Sequence, residues 1–194
     1  MAAHKKLGTW SRIKVNNKKH KPIMTHIVFD NKHDAEGKMT SYKAHLVAQG
    51  FNQVPRRLFD ETWAPVPSSA TTRALFVVAA ATSWKVNHVD VKTAFLNAKM
   101  DKEMCINLPD GIMPEGVEEM CLRNLALYGT KKAGRLWDIK LDKQLKEIGA
   151  VRSKIDPCFY EWCHPVHDCV CCNVMLNAAV SPAAVKSKIH ETRY

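Results

Sequence analysis

Apolar residues near the start of the chain are concentrated in two short segments. MTHIVFD (24–30) and YKAHLVAQG (42–50) both have the composition of β-strands. The segment between them, NKHDAEGK, is polar and contains Gly37, a residue that suits a tight turn. The pattern therefore predicts a β-hairpin.

Two longer segments have patterns typical of helices. SSATTRALFVVAAATS (68–83) is rich in Ala, and its first Ser and Thr residues can accept the free amide hydrogens of a first turn. KKAGRLWDIKLDKQLKEIG (131–149) is amphipathic, and Gly149 suits its C-terminal cap. Its apolar face is predicted to contain Trp137, Leu141, Leu145 and Ile148.

Further strands are predicted at KVNHVDV (85–91), EMCINLPDG (103–111) and the Cys-rich segment 169–176. The Pro-rich stretch VPRRLFDETWAPVPSS is predicted to be irregular, and the polar end of the chain to be helical. Because helices and strands are mixed without regular βαβ alternation, the fold class is predicted to be α+β.

Charge is distributed unevenly along the 194 residues, which are enough for one domain or two small lobes. Residues 1–60 contain 12 Lys and Arg against 4 Asp and Glu, whereas residues 61–194 contain 17 against 15. A basic N-terminal lobe favours contact with a nucleic-acid backbone, although a solvated surface accounts for the charge equally well. Residues 1–22 are predicted to be a loosely ordered basic arm.

The expected location is intracellular. No apolar run approaches the ~20 residues of a membrane span, and the start, MAAHKKLGTW, lacks the apolar core of a secretory signal. We therefore expect a protein that is neither secreted nor membrane-spanning, with its seven cysteines mostly reduced. The choice between cytoplasm and nucleus, and the oligomeric state, stay open.

Six segments resemble one family in order and spacing: YKAHLVAQGFNQ, DETWAPV, HVDVKTAFLNA, INLPDGI, LALYGTKKAGRLW and DPCFYEW. Together they resemble the reverse transcriptase domain of copia-type LTR retrotransposon Pol polyproteins, from about Trp10 to the end of the chain. The resemblance implies an RNA-directed DNA polymerase that uses Mg²⁺ and binds an RNA or DNA template-primer. It also implies that residues 23–194 form the fingers and palm of a right-hand polymerase, an antiparallel sheet packed on helices, truncated before the thumb.

The resemblance assigns the site residues. Polymerases use two divalent cations ~3.5–4 Å apart, and Mg²⁺ prefers hard oxygen ligands, so carboxylates must converge on the site. By similarity Asp90 is the first of these carboxylates. Phe95 matches the side chain that abuts the sugar and excludes a ribose 2′-hydroxyl, with core packing as the alternative. Lys43 corresponds to the fingers hairpin that approaches the triphosphate, and Lys131 and Arg135 either reach phosphates or are solvated on the helix face.

Three residues depart from the family pattern near these positions. Lys132 replaces the usual glutamine, His45 replaces an arginine and Asp30 replaces a lysine. Because a carboxylate repels phosphate, the change at Asp30 is expected to weaken nucleotide binding together with the change at His45.

The second palm strand of the family carries a Tyr-Val-Asp-Asp turn, and its carboxylates complete the metal site. In this chain the corresponding segment reads CCNVMLNAAVSPAAV. Without gaps, Asn177 and Ala178 occupy the positions of the two aspartates, and a deletion is an equally good account. Either way, no acidic residue occurs between Asp168 and Glu191. Because neutral side chains cannot hold a divalent cation there, we expect Mg²⁺ not to be bound productively and the copy to be inactive.

Two other functions fit the sequence. One is a nucleic-acid-binding remnant that kept its basic lobe without chemistry. The other is a zinc-binding module, because thiolates and imidazoles suit zinc. Against zinc, no Cys-x-x-Cys pair occurs and alternate strand residues lie on opposite faces, so buried thiols are the favoured account. The residues concerned are Cys158, Cys163, His164, His167, Cys169, Cys171 and Cys172.

Overall fold

The computed structural model describes residues 4, 7–9, 11, 22–84, 86–109, 120–122, 124–164, 167–174 and 178–181, with backbone alone at 87–90, 120–122, 163–164, 167–174 and 178–181. Helices and strands are both present, so the predicted α+β class is confirmed. The strands are β1 (Ile23–His33), β2 (Met39–Ala48), β3 (Asn87–Asp90), β4 (Met104–Asn107), β5 (Met120–Leu122), β6 (Val151–Arg152), β7 (Phe159–His164), β8 (His167–Val174) and β9 (Ala178–Ser181). The helices are α1 (Ser69–Ala81) and α2 (Ala133–Glu147).

The chain divides into two compact units. Unit 1 contains residues 1–63 and 95–136, and unit 2 contains residues 64–94 and 137–194. Each unit has its own sheet. The boundary falls within α2, between Leu136 and Trp137.

Unit 1 is built on a four-stranded sheet in the order β2-β1-β4-β5. The predicted hairpin is confirmed, since β1 and β2 pair antiparallel and Gly37 adopts a φ of 82° in the turn between them. Asp34 fixes this turn by accepting a hydrogen bond from the Lys38 amide at 2.7 Å. The sheet is mixed rather than wholly antiparallel, because β1 and β4 run parallel. Strands so far apart in sequence can reach a parallel pairing through a long connection.

Unit 2 is built on a five-stranded sheet in the order β3-β9-β8-β7-β6, and all its pairs are antiparallel. The predicted apolar face of α2 is confirmed, because Leu145 packs with Ala150 and Tyr160 in a buried cluster bordered by Leu141, Ile148 and Trp162. Gly149 ends the helix as predicted, with a φ of 89° and the Ala150 amide bonded to the Leu145 carbonyl.

Helix α1 begins as predicted at a Ser cap. The Ser68 hydroxyl accepts a hydrogen bond from the Ala70 amide at 3.2 Å, which satisfies a free donor of the first turn. The Ser68 amide in turn donates to the carboxylate of Asp156, 88 residues later in the chain. The start of α1 is thereby joined to the turn that precedes β7.

Most of the predicted basic arm (1–22) and the predicted C-terminal helix lie outside the described residues. Strands β5, β6, β7 and β9 have no separate prediction from the sequence; β6 contains only two residues. In the described part of the chain, no helix combines the length and apolar character needed to cross a membrane.

Candidate polymerase site

Asp90 is the last residue of β3, a strand that lies at one edge of the sheet in unit 2. Its neighbour in the sheet is β9, and the register of this antiparallel pair places Ala178 directly opposite Asp90. The backbone therefore brings together the predicted first carboxylate and one of the two positions predicted to have lost a carboxylate.

Strand β9 follows β8 in an antiparallel hairpin. Asn173 pairs with Val180 and Val174 pairs with Ala179, so the connection between the strands consists of residues 175–177. Asn177 falls in that connection, outside the described residues. The second strand of this hairpin begins at Ala178 and pairs with the strand that ends at Asp90.

Two other acidic residues of unit 2, Asp156 and Asp168, lie at other places in the fold. Asp156 is buried, and its two carboxylate oxygens accept hydrogen bonds from the Cys158 amide at 2.9 Å and the Ser68 amide at 3.1 Å. Asp168 lies near the start of β8, six residues before Val174, which is about 20 Å along a strand. Glu191 lies outside the described residues.

The hydrogen bonds of Asp156 also determine its ionisation. Burial alone raises the pKa of this carboxyl group, but hydrogen bonds from the Cys158 amide, the Thr71 hydroxyl and the Ser68 amide together hold the pKa below its usual value. Asp156, a residue of the DPCFYEW segment, therefore remains a charged structural anchor for the start of α1.

The remaining predicted site residues belong to unit 1. Phe95 is partly buried in a 3-10 turn (Ala94–Asn97), and its ring contacts Tyr128 with a centroid distance of 4.8 Å. Tyr128 also contacts the hairpin, because its ring meets the ring of His45 edge-on, with a centroid distance of 5.8 Å. Tyr128 therefore connects Phe95 with strand β2.

Lys43 lies in β2 directly opposite Asp30 of β1, and both residues are exposed. His45 follows two positions later on the same face of the hairpin. Burial and the Lys43 charge lower the pKa of His45, whereas Asp30 acts in the opposite direction. Residues 23–48 contain three Lys and three Asp and Glu, so with neutral histidines the hairpin has no net charge.

The hairpin is held against the loop before α2 by two glycines in very close approach. A Cβ atom added to Gly129 would lie 2.1 Å from the Ala48 carbonyl oxygen, and one added to Gly50 would lie 2.0 Å from the Gly129 carbonyl oxygen. The Ala48 amide donates to the Tyr128 carbonyl at 2.8 Å, and the Gln53 side chain accepts from the Lys131 amide at 2.6 Å. The YKAHLVAQGFNQ and LALYGTKKAGRLW segments thus meet in space.

The three basic residues of this second segment have different surroundings. Lys131 is exposed to solvent, whereas Lys132 is buried and forms an ion pair with Asp101. Arg135 forms an ion pair with Glu61 and donates a hydrogen bond to the Trp63 carbonyl at 3.3 Å. Glu61 and Trp63 belong to the DETWAPV segment, so Arg135 joins two of the family-like segments. The phosphate contacts of Lys131 and Arg135 stay predictions.

Sequence reasoning missed the connecting roles of Tyr128, Gln53 and Gly129. The available signal was their position inside segments already recognised as family-like, together with a Gly at 129 that adopts a φ of 85°. Their partners are more than 30 residues away in sequence, and such distant contacts have no local pattern.

The zinc-binding alternative stays a prediction, because the structure gives the backbone alone at residues 163–164 and 167–174, where most of the cysteine cluster lies. Backbone register places Cys171 opposite Glu161 and Cys172 opposite Tyr160, so these consecutive cysteines occupy opposite faces of the sheet. Cys158 is buried, and burial raises the pKa of its thiol to about 11.

Comparison with known proteins agrees with the resemblance of the segments. Residues 8–164 match the family model described as reverse transcriptase (RNA-dependent DNA polymerase). The chain is 35% identical over 161 residues to the retrovirus-related Pol polyprotein from transposon TNT 1-94 of Nicotiana tabacum, covering 82% of this chain and 12% of that protein. It is also 35% identical over 130 residues to the Pol polyproteins from transposons RE1 and RE2 of Arabidopsis thaliana, covering 66% of this chain and 9% of each.

The chain therefore spans about a tenth of the length of these relatives. The family match covers most of its residues, including the segments that carry Asp90, Phe95 and Lys131. The chain belongs to the reverse transcriptase (RNA-dependent DNA polymerase) family and is a reverse transcriptase domain fragment of the copia-type Pol polyprotein.

Proposed function

We propose that this chain is the fingers and palm of a copia-type reverse transcriptase whose nucleotidyl-transfer site has lost the second pair of metal-binding carboxylates. It is then a catalytically silent member of a polymerase family. The hairpin of β1 and β2 in unit 1 corresponds to the fingers, and the sheet of unit 2 that contains Asp90 corresponds to the palm.

The single observation that carries this proposal is the pairing of Asp90 with Ala178. Residues directly opposite in an antiparallel pair have Cβ atoms about 4.5–5.5 Å apart. An acidic residue at 178 would therefore bring a second carboxylate next to the Asp90 position. The sequence has alanine at 178 and asparagine at 177, so the position opposite Asp90 has no carboxylate, whether substitution or deletion removed it.

The donor set of this region does not fit a pair of magnesium ions. Mg²⁺ requires hard oxygen ligands in near-octahedral geometry, and two such ions need several converging carboxylates. Asp156 already accepts two backbone hydrogen bonds. Asp168 is the second residue of β8, at the end of that strand that is remote from its pairing with β9. We infer that no carboxylate from the described part of unit 2 joins Asp90, and the charge stabilisation on which phosphoryl transfer depends is then lost.

Primer extension tests the proposal. The wild-type chain, incubated with a poly-A template, a primer, thymidine triphosphate and Mg²⁺ or Mn²⁺, should give no template-dependent product above the background of the Asp90→Ala variant. Product that disappears with Asp90→Ala would overturn it. The matched restoration combines Asn177→Asp with Ala178→Asp, and synthesis that appears in this variant but not in the wild-type chain locates the lesion.

A nucleic-acid-binding role without chemistry is the second candidate, and it is compatible with the first. The 22 residues that precede β1 contain seven Lys and Arg and no Asp or Glu. Such a segment attracts phosphates, and this attraction weakens as the salt concentration rises. Electrophoretic shifts that weaken steeply with salt would support this role, and an absence of binding at low salt would reject it.

A further inference from the structure

The antiparallel pair of β7 and β8 in unit 2 has a glutamate and a cysteine at facing positions. Cys171 of β8 lies directly opposite Glu161 of β7. Directly opposite residues have Cβ atoms about 4.5–5.5 Å apart. A carboxylate and a thiol are therefore carried by neighbouring positions on the two strands.

A shift in register brings two more cysteines together beside this pair. The register of β7 and β8 shifts between Trp162 and His164, as in a β-bulge. Cys163 of β7 consequently lies opposite both Asp168 and Cys169 of β8. The two strands thus have facing cysteines at the position next to Glu161 and Cys171.

Alternation along the strands places all four residues on one face of the sheet. Residues two apart on a strand share a face and lie about 6.4–6.8 Å apart. Cys163 therefore shares the face of Glu161 on β7, and Cys169 shares the face of Cys171 on β8. We call this group of four positions the Glu-Cys quartet.

The Glu-Cys quartet lies on the face opposite to the buried cluster around Leu145. Tyr160 and Trp162, which alternate with Glu161 along β7, pack in that cluster. Glu161 itself is exposed to solvent. Packing in the cluster therefore does not account for the three cysteines of the quartet, although cysteine is among the residue types most often buried.

The spacing of the three cysteines favours a metal ion over a disulfide. Cys169 and Cys171 are about 6.4–6.8 Å apart, whereas the Cβ atoms of a disulfide are about 3.5–4.5 Å apart. A disulfide between Cys163 and Cys169 would leave Cys171 unused. A tetrahedral zinc ion takes thiolates at about 2.3 Å and a carboxylate oxygen at about 2.0–2.2 Å, so it uses all four residues. Soft thiolate ligands also select zinc over magnesium.

We propose that the Glu-Cys quartet binds one Zn²⁺ ion, with three thiolates and one carboxylate oxygen as its ligands. The ion joins β7 to β8 across the register shift and is structural, because four protein ligands leave no open position for a substrate. Binding converts three thiols to thiolates and releases their protons to solvent, so zinc affinity falls as pH falls. Zinc binding here is independent of nucleotidyl transfer, and either can fail without the other.

Zinc titration of the full chain tests the site. Protein purified under reducing conditions should take up one Zn²⁺ ion per chain in competition with a chromophoric chelator, and Co²⁺ in its place should show thiolate-to-cobalt charge-transfer absorption. Cys163→Ala and Cys171→Ala should each weaken binding more than about 100-fold, since loss of an outer-shell partner alone costs about 10–100-fold. The matched control is Cys172→Ala, which removes the next cysteine of β8 on the opposite face and should leave zinc affinity unchanged.

Glu161→Gln covers the case in which a cysteine variant fails to fold. Because Glu161 is exposed, this variant should keep the circular dichroism spectrum of wild type while its zinc affinity falls. Four outcomes would overturn the site: no bound zinc, equal losses for Cys171→Ala and Cys172→Ala, unchanged affinity in Glu161→Gln, or a disulfide between Cys163 and Cys169 in protein incubated with zinc. Primer extension measures nucleotidyl transfer separately.

Discussion

Replacing Gly129 with alanine should detach the hairpin of β1 and β2 from the loop that carries Lys131. At this position the backbone has a φ of 85°, and an added Cβ atom would lie 2.1 Å from the Ala48 carbonyl oxygen and 2.7 Å from the Val47 side chain. The obstructing oxygen belongs to backbone within β2, so it cannot rotate away as a flexible side chain would. The loop must move instead.

The cost of Gly129→Ala has three parts. A non-glycine residue in the left-handed region costs roughly 1–2 kcal/mol. Overpacking against a fixed neighbour costs roughly 1–3 kcal/mol. Movement of the loop also breaks the 2.8 Å hydrogen bond from the Ala48 amide to the Tyr128 carbonyl, a loss of roughly 0.5–1.5 kcal/mol. Together these give about 3–6 kcal/mol of lost unfolding free energy, which is a large share of a domain's stability.

Gly37→Ala is the matched control. Gly37 has nearly the same φ, 82°, but no atom lies within 4 Å of an added Cβ. Only the backbone strain of roughly 1–2 kcal/mol should remain. Urea unfolding followed by circular dichroism measures both variants, and hydrogen exchange at the Ala48 amide reports the loop contact directly. Equal losses for the two variants, with an unchanged Ala48 amide, would refute the close approach.

Two further predictions concern carboxylates in the two units. Asp156→Asn should lower the free energy of unfolding by roughly 1–3 kcal/mol in urea titrations near neutral pH, whereas the exposed Glu147→Gln should change it by less than roughly 0.5 kcal/mol. Because the pKa of Asp156 is lowered in the folded state, the charged carboxylate stabilises the fold above about pH 4, and this stabilisation is lost as pH falls through the folded pKa. A difference in unfolding free energy between wild type and Asp156→Asn that persists in strong acid would contradict this. Asp30→Asn removes the carboxylate opposite Lys43, so the affinity of the chain for a single-stranded oligonucleotide should rise. The slope of log affinity against log salt concentration should steepen by about 0.7, and Asp30→Glu should change neither quantity.

Local patterns were sufficient for the longer elements of the fold. The polar run with Gly37 predicted the hairpin, and the apolar face of residues 131–149 predicted α2 and its cap at Gly149. These predictions depend on neighbours within a few residues, where turn chemistry and helical periodicity act. Strands such as β6, with two residues, are too short to show a period, and pairing with β7 determines them.

The contacts that organise the candidate site could not be read from local patterns. The Asp156 carboxylate bonds to a residue 88 positions earlier, and Lys132 is buried against Asp101, 31 positions away. The role of Asp90 and the loss of two aspartates at Asn177 and Ala178 are predictions that rest on family resemblance alone. The register that places Ala178 opposite Asp90 comes from sheet pairing between strands nearly 90 residues apart.

Metal binding tests the central claim most directly. Calorimetric titration of the wild-type chain with Mn²⁺ should show no saturable site that depends on Asp90. The variant combining Asn177→Asp with Ala178→Asp should gain such a site and lose it again when Asp90→Asn is added, since carboxylates opposite one another then share the ion. A wild-type site that Asp90→Asn abolishes would contradict the account.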